Sequence, residues 1–239
     1  MPTALPSLAW QTFHVPKAGH THQEYEDAFA GDPKVGRFAV ADGASESSFA
    51  SSWAELLVDA YVGKPGSWST WLPGARKRWR ARLSKADLPW YAQTKFDEGA
   101  YAALLGVYFD GPRWHAEAVG DSCVFQIRNH GLRRAFPLRR PDEFNNQPSL
   151  LGSRAHSNAD PRTRRLHLES DWQDGDILLL MTDALAHWFL RQVERRRQPW
   201  RDLLAIETVP EFVECVDKLR EDGMRNDDAT LIRVQTKAP

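Results

Sequence analysis

The sequence predicts an α+β fold in which antiparallel sheet forms the centre and helices cover it. From residue 100 onward, short apolar segments of strand length alternate with tight turns, a pattern typical of antiparallel sheet. Two segments with helical periodicity precede this part, and two more follow in its C-terminal half. No repeat, low-complexity tract or long linker divides the chain, so we expect residues 1–239 to form a single domain.

The N-terminal part is predicted to contain strands and a first helix. Residues 8–14 alternate as an edge strand does, and Phe38–Ala41 form a short apolar strand. Residues 48–62 place their apolar side chains on one helical face. Either Ser45 or Ser47 could cap the start of this helix.

A second predicted helix, residues 68–84, interleaves basic residues with tryptophans. Such interleaving can mark contact with nucleic acid. An amphipathic helix with a solvated basic face explains the pattern more simply, and we favour that interpretation.

The rest of the chain is predicted as strands and two helices. The predicted strands are Ala100–Phe109, Trp114–Val119, Cys123–Arg128, Leu132–Leu138, Arg165–Glu169, Ile177–Met181 and Leu231–Gln235. Asn129-His130-Gly131 predicts a hairpin turn, and the helices are Leu185–Arg195 and roughly Val209–Glu221. Residues 139–163 are polar without periodicity, as functional or mobile segments often are.

Composition excludes several classes of protein. The formal net charge of -1 provides no bulk attraction for nucleic acid or anionic membrane, so we expect neither as a partner. Cys123 and Cys215 are too few for a disulfide framework and fit a reducing compartment. The N-terminus lacks the pattern of a signal peptide, and no apolar run is long enough to cross a bilayer. A cytoplasmic location is therefore expected.

Acidic residues recur at the ends of the predicted strands. Asp42 and Asp183 each follow an apolar strand that leads into a helix, Asp227 precedes the last strand, and Glu26-Asp27 precede another. Buried carboxylates are costly without positive charge, and we identify no matched basic partners near them in sequence. Carboxylate oxygens without cysteine favour magnesium or manganese. Two such ions can share a carboxylate and activate a water molecule for attack on phosphorus.

Five short motifs in this order carry a family resemblance. They are Glu26-Asp27-Ala28, Ala41-Asp42-Gly43, Gly120-Asp121-Ser122, Gly175-Asp176 with Leu178-Leu179-Leu180-Met181-Thr182-Asp183, and Asp227-Asp228-Ala229-Thr230. The set resembles the metal-dependent serine/threonine protein phosphatases of type 2C, in a short bacterial form, over residues 19–235. The resemblance implies a four-layer α-β-β-α sandwich, with two antiparallel sheets flanked by helices, which agrees with the elements predicted above.

The resemblance also implies the metal ligands. Asp42 would bridge two ions. The carbonyl of Gly43 would bind one of them together with Glu26, and Asp183 and Asp227 would bind the other.

Further roles follow from the same resemblance. Asp121 would help Asp183 hold a looser third ion, and Asp27 would act in catalysis by holding a water molecule of the metal centre. Asp228 stands where the family usually has asparagine and would contact water. Residues 139–163 correspond to the flap beside the site, which influences substrate choice.

The implied activity is hydrolysis of phosphoserine and phosphothreonine on proteins by a water molecule that two Mn²⁺ or Mg²⁺ ions activate. The partners implied are a phosphorylated protein and a cognate serine/threonine kinase.

Several positions depart from the family pattern. His22 takes the place of an arginine that binds phosphate, and a histidine can still donate to phosphate. Ala44-Ser45-Glu46 replaces glycines and a histidine, and Tyr101 stands in a degenerate motif. Arg154 is a weaker candidate for contact with phosphate.

These departures leave two alternatives open. One is a non-catalytic relative that binds metal or a phosphorylated partner as a regulatory module. The other is a two-metal hydrolase of small phosphate esters.

Overall fold

Two antiparallel sheets form the centre of the molecule. The structure is a computed structural model that describes residues 5–45, 49–82, 93, 96–145, 147–155 and 165–237. The first sheet contains, in order, β1 (Leu8–Val15), β11 (Ala229–Thr236), β10 (Ile177–Met181), β6 (Cys123–Arg128) and β7 (Gly131–Phe136). The second contains β2 (Ala28–Asp32), β3 (Arg37–Gly43), β4 (Tyr101–Asp110), β5 (Arg113–Val119) and β9 (Leu166–Asp171), with β8 (Leu151–Gly152) paired to β4.

The central strands are apolar along their length because both of their faces are covered. Successive side chains of a strand point to opposite faces. In β10, Leu178 and Leu180 therefore lie in the core between the two sheets. Leu179 and Met181 lie in the core between the first sheet and its helices.

Helices cover the outer face of each sheet. Helices α1 (Ala50–Gly63) and α2 (Trp68–Arg82) pack on the second sheet. Helices α3 (Asp183–Glu194), α4 (Pro199–Leu204) and α5 (Val209–Glu221) pack on the first. The predicted α+β class and four-layer α-β-β-α sandwich are thereby confirmed.

The start of α1 differs from the prediction. Its N-cap residue is Phe49, in the left-handed conformation with φ 70°, and it makes no side-chain capping bond. The hydroxyl of Ser45 donates to the carboxylate of Glu26 instead. Ser45 is therefore not the cap, and Ser47 lies outside the described residues.

The tryptophans of α2 belong to the core rather than to a binding surface. Trp68, Trp71 and Trp79 are buried against α1 and the second sheet. The last basic residue of the helix, Arg82, pairs with Glu55 of α1. The helix thus has the buried and solvated faces expected of an amphipathic helix.

Antiparallel pairing brings the acidic strand ends to one side of the sandwich. Met181, at the end of β10, pairs with Leu231 near the start of β11. Ala41, near the end of β3, pairs with Ala28 at the start of β2. The residues just beyond these strand ends therefore meet around one opening between the sheets.

None of the helices in the described part of the chain is both long and apolar enough to cross a membrane.

Candidate metal centre

Three aspartates from distant parts of the chain meet at this opening. Asp42 is near the end of β3, Asp121 lies in the turn between β5 and β6, and Asp183 is the first residue of α3. A carboxylate oxygen from each lies within 4.8 Å of one from the others. The three line a cleft of about 420 Å³ that Asp227 also borders. Gly43 lines the same cleft, so the structure brings together five of the six residues predicted as metal ligands.

The carboxylates of this cluster repel one another. Burial, followed by the charges of Asp183 and Asp27, raises the pKa of Asp42 well above its usual value. Burial and the nearby charge of Asp183 raise the pKa of Asp121 to about 7. Burial also raises the pKa of Asp183, although an arginine close to it opposes the shift. The cluster therefore holds more negative charge than its surroundings stabilise.

Gly43 has no room for a side chain. A Cβ atom there would lie 2.7 Å from the backbone oxygen of Glu26 and 3.0 Å from Cβ of Ala50. A residue without a side chain lets the backbone pass this close to its neighbours beside the cluster. Carboxylate oxygens with a nearby backbone carbonyl are ligands that hard divalent cations prefer, so the residues present fit such an ion.

Glu26 and Asp27 lie side by side but have different partners. The carboxylate of Glu26 accepts a hydrogen bond from Ser45, and burial raises its pKa. Asp27 is 5% exposed and accepts a hydrogen bond of 2.6 Å from the hydroxyl of Thr230. Burial raises the pKa of Asp27 well above its usual value. Asp27 is thus held against β11, behind the carboxylates that line the cleft.

Asp228 anchors the segment that carries the Glu-Asp pair. Its two carboxylate oxygens accept the backbone N–H groups of Lys17, at 2.8 Å, and Glu26, at 2.7 Å. The sequence led us to expect contact with water at this position. That contact stays a prediction. The hydrogen bonds in the structure give the carboxylate a positioning role as well, since it ties the residues before β2 to the start of β11.

Arg225 is a feature of the cleft that the sequence analysis missed. Its Nη2 atom donates to Asp183 and, at 2.7 Å, to Asp227. Among the described residues that line the cleft, it has the only positively charged side chain. The sequence signal that could have placed Arg225 in the cleft is its position two residues before Asp227.

Two predicted phosphate-binding residues lie elsewhere. His22 is exposed in a short 3-10 turn, with its ring 6.1 Å from that of His14, and it is not among the described residues lining the cleft. Its catalytic role stays a prediction. Arg154 donates to the backbone oxygen of Phe96 at 2.8 Å and lies over the ring of that residue. Its guanidinium therefore serves packing beside α2.

Comparison with known sequences gives one family. The sequence profile described as Protein phosphatase 2C matches residues 17–227, which include Glu26, Asp27 and the four aspartates that line the cleft. No curated protein matches the chain significantly.

Solved structures share the fold at low sequence identity. PppA of Pseudomonas aeruginosa, described as a key regulatory component of T6SS, is 17% identical with a TM-score of 0.66, covering 98% of this chain and 99% of its own. The serine/threonine phosphatase PstP/Ppp of Mycobacterium tuberculosis is 15% identical with a TM-score of 0.65, covering 98% of this chain and 100% of its own. The catalytic domain of PstP in complex with two manganese ions is 18% identical with a TM-score of 0.60, covering 97% of this chain and 99% of its own.

Proposed function

The chain belongs to the protein phosphatase 2C family of metal-dependent serine/threonine phosphatases, and from that premise we propose that it hydrolyses phosphoserine and phosphothreonine on proteins with Mn²⁺ or Mg²⁺. The observation that carries the proposal is the cluster of Asp42, Asp121 and Asp183, whose carboxylates lie within 4.8 Å of one another. Burial and the charges of the neighbouring acids raise the pKa values of the three carboxylates, as is common at functional sites.

The ligand assignment follows from the position of each residue. Asp42 is proposed to be shared between two ions, because its carboxylate is surrounded by those of the other acids. The Gly43 carbonyl and Glu26 would complete one ion site, and Asp183 with Asp227 the other. Asp121, which adjoins Asp183, is proposed to hold a third ion.

Divalent cations bound there would neutralise phosphoryl oxygens and lower the pKa of a water molecule enough for it to attack phosphorus. The protein's own residues keep this arrangement rigid. The Ser45 hydroxyl orients Glu26, and Asp228 fixes the backbone that bears Glu26 and Asp27. Asp27, held by Thr230, is proposed to orient water from behind the ligands.

The proposed substrate is a phosphorylated side chain presented by another protein. Asn145, Pro148 and Leu150, from the segment that corresponds to the family's flap, line one side of the cleft. A mixed polar and apolar rim suits a peptide backbone next to the phosphorylated residue. The enzyme that supplies such a substrate is a serine/threonine kinase.

The test is hydrolysis of a phosphothreonine peptide. We expect activity with Mn²⁺ or Mg²⁺ and its loss in excess chelator. Asp42→Asn should lower kcat/KM by about 1000-fold or more, which equals about 4 kcal/mol of transition-state stabilisation. Asp59→Asn, at an exposed position on α1, is the matched control and should leave the rate unchanged.

Full activity in chelator, or near-normal turnover by Asp42→Asn, would rule out the proposed mechanism. Binding of the phosphopeptide without hydrolysis under any divalent metal would indicate the non-catalytic alternative.

A further inference from the structure

Arg225 occupies the position where the proposed metal ligands need positive charge. Its guanidinium joins Asp183 and Asp227, the two carboxylates assigned to one ion. We propose that Arg225 is the phosphate-binding arm of this enzyme: metal binding releases it from these aspartates, and the freed guanidinium then binds the phosphate of the substrate. The inference rests on the proposed function and adds the residue that recognises the substrate.

The release follows from competition for the same oxygens. A carboxylate oxygen that coordinates a divalent cation cannot also remain in a close pair with a guanidinium, and the two positive groups repel each other. The Arg225 side chain is 52% exposed. Asp183 is 10% exposed and Asp227 33%. Because the guanidinium itself is half-exposed, water can solvate it once a divalent cation takes its place at the two carboxylates.

The backbone on both sides of Arg225 is anchored, which confines the movement to the side chain. The N–H of Met224 donates to the backbone oxygen of Leu219 at 2.8 Å, and Met224 is buried in the core beneath α3 and α5. The backbone oxygen of Asp227 accepts from the guanidinium of Arg220 at 2.9 Å. After release, the guanidinium therefore stays at the edge of the cleft.

The geometry leaves phosphate as the partner of the freed group. Arg225 borders both the cleft of about 420 Å³ and an adjoining cavity of about 260 Å³, which share Asp121 and Asp183. A phosphate brought to the metal ions would lie within the cleft, where no other described lining residue carries a positive side chain. A guanidinium can donate two parallel hydrogen bonds to phosphate oxygens.

The first experiment titrates the metal-free protein with Mn²⁺ by calorimetry, without substrate. If Arg225 competes with the metal, Arg225→Ala should bind Mn²⁺ about 2- to 10-fold more tightly than the wild type. Arg80→Ala, an exposed arginine of α2, is the control and should match the wild type. Weaker Mn²⁺ binding by Arg225→Ala would overturn the proposal, since it would show that the arginine organises the ligands.

The second experiment measures the affinity of the Mn²⁺-loaded protein for inorganic phosphate, and KM for the phosphopeptide. Arg225→Ala should lower the phosphate affinity and raise KM, each by about 10- to 100-fold, the range expected for a charged hydrogen bond to phosphate. Arg225→Lys keeps the charge but cannot donate two parallel hydrogen bonds, so its phosphate affinity and KM should lie between those of the wild type and Arg225→Ala. Unchanged phosphate affinity in Arg225→Ala would overturn the phosphate-binding role even if Mn²⁺ binding tightens.

The two proposals fail in different ways. If the wild type binds no Mn²⁺ or hydrolyses no phosphopeptide, the proposed function fails. If the wild type does both and Arg225→Ala behaves identically to it, only the inference about Arg225 fails.

Discussion

Strand β10 has an aspartate near each end, and the two side chains have opposite surroundings. Asp176, just before the strand, is fully buried and accepts hydrogen bonds from Gln126, Gln173 and two nitrogens of Arg128, all between 2.7 and 2.9 Å. Arg128 also pairs with Asp171 and, as the largest contribution, lowers the pKa of that carboxylate. Asp176, Arg128 and Asp171 are thus matched to one another at this end of the strand.

At the opposite end, Asp183 lies among like charges. Asp42, Asp121 and Asp227 border the same cleft, and Arg225 is the single positive side chain among the described residues lining it. Burial, and after it the charges of the neighbouring aspartates, raise the pKa values of Asp42 and Asp121. We infer that a matched carboxylate serves the fold, whereas an unmatched group of carboxylates is kept for a cation that binds later.

The largest expected effect on stability belongs to the matched end. Asp176→Ala leaves the Arg128 guanidinium half-paired and should lower the free energy of unfolding by about 3–5 kcal/mol. Urea unfolding should show this loss equally in chelator and in Mn²⁺. Asp174→Ala, in the exposed turn beside it, is the control. A loss below about 1 kcal/mol would mean that the network contributes little to the fold.

At the end of β10 that carries Asp183, removing a carboxylate should stabilise the metal-free fold rather than destabilise it. The carboxylates there destabilise the metal-free fold once they ionise, because the pKa of Asp121 is about 7 in the folded protein and about 3.9 in an unfolded chain. Because the pKa is raised in the folded protein, protonated Asp121 contributes to the free energy of unfolding fully below pH ~4. This contribution is lost as the pH rises through about 7. The loss is at most about 4 kcal/mol for this residue.

Asp121→Asn removes that titration. In chelator, its free energy of unfolding should rise relative to the wild type between pH ~4 and ~7, and Mn²⁺ should narrow the difference by stabilising the wild type. Chemical unfolding across this pH range is the measurement. Parallel pH profiles for the two proteins would contradict the view that these carboxylates are unmatched.

The layers of the fold and the acidic residues could be predicted from sequence because local patterns encode them. Strand Ile177–Met181 and helix Val209–Glu221 have the predicted bounds, since continuous apolar runs and helical periodicity are properties of neighbouring residues. Helix Pro199–Leu204 was not predicted, because six residues are too few to show a period.

Most partners of these acids could not be predicted, because they come from distant parts of the chain. Gly175-Asp176 and Thr182-Asp183 both belong to the motifs that carry the family resemblance, yet the two aspartates have different partners. Arg128 reaches Asp176 only because β6 pairs with β10, with Ile127 opposite Ile177. The hydrogen bond that the Asp228 carboxylate accepts from the N–H of Lys17, 211 positions away, depends in the same way on the finished fold.

The most direct test of the central claim is anomalous diffraction at the manganese edge from crystals soaked in Mn²⁺. We expect two strong peaks in the cleft, both next to the Asp42 carboxylate, one adjoining the Gly43 carbonyl and the other adjoining Asp183 and Asp227. Arg225 should then no longer contact these two aspartates. A cleft without a manganese peak at saturating Mn²⁺, with Arg225 still joined to Asp183, would contradict the account.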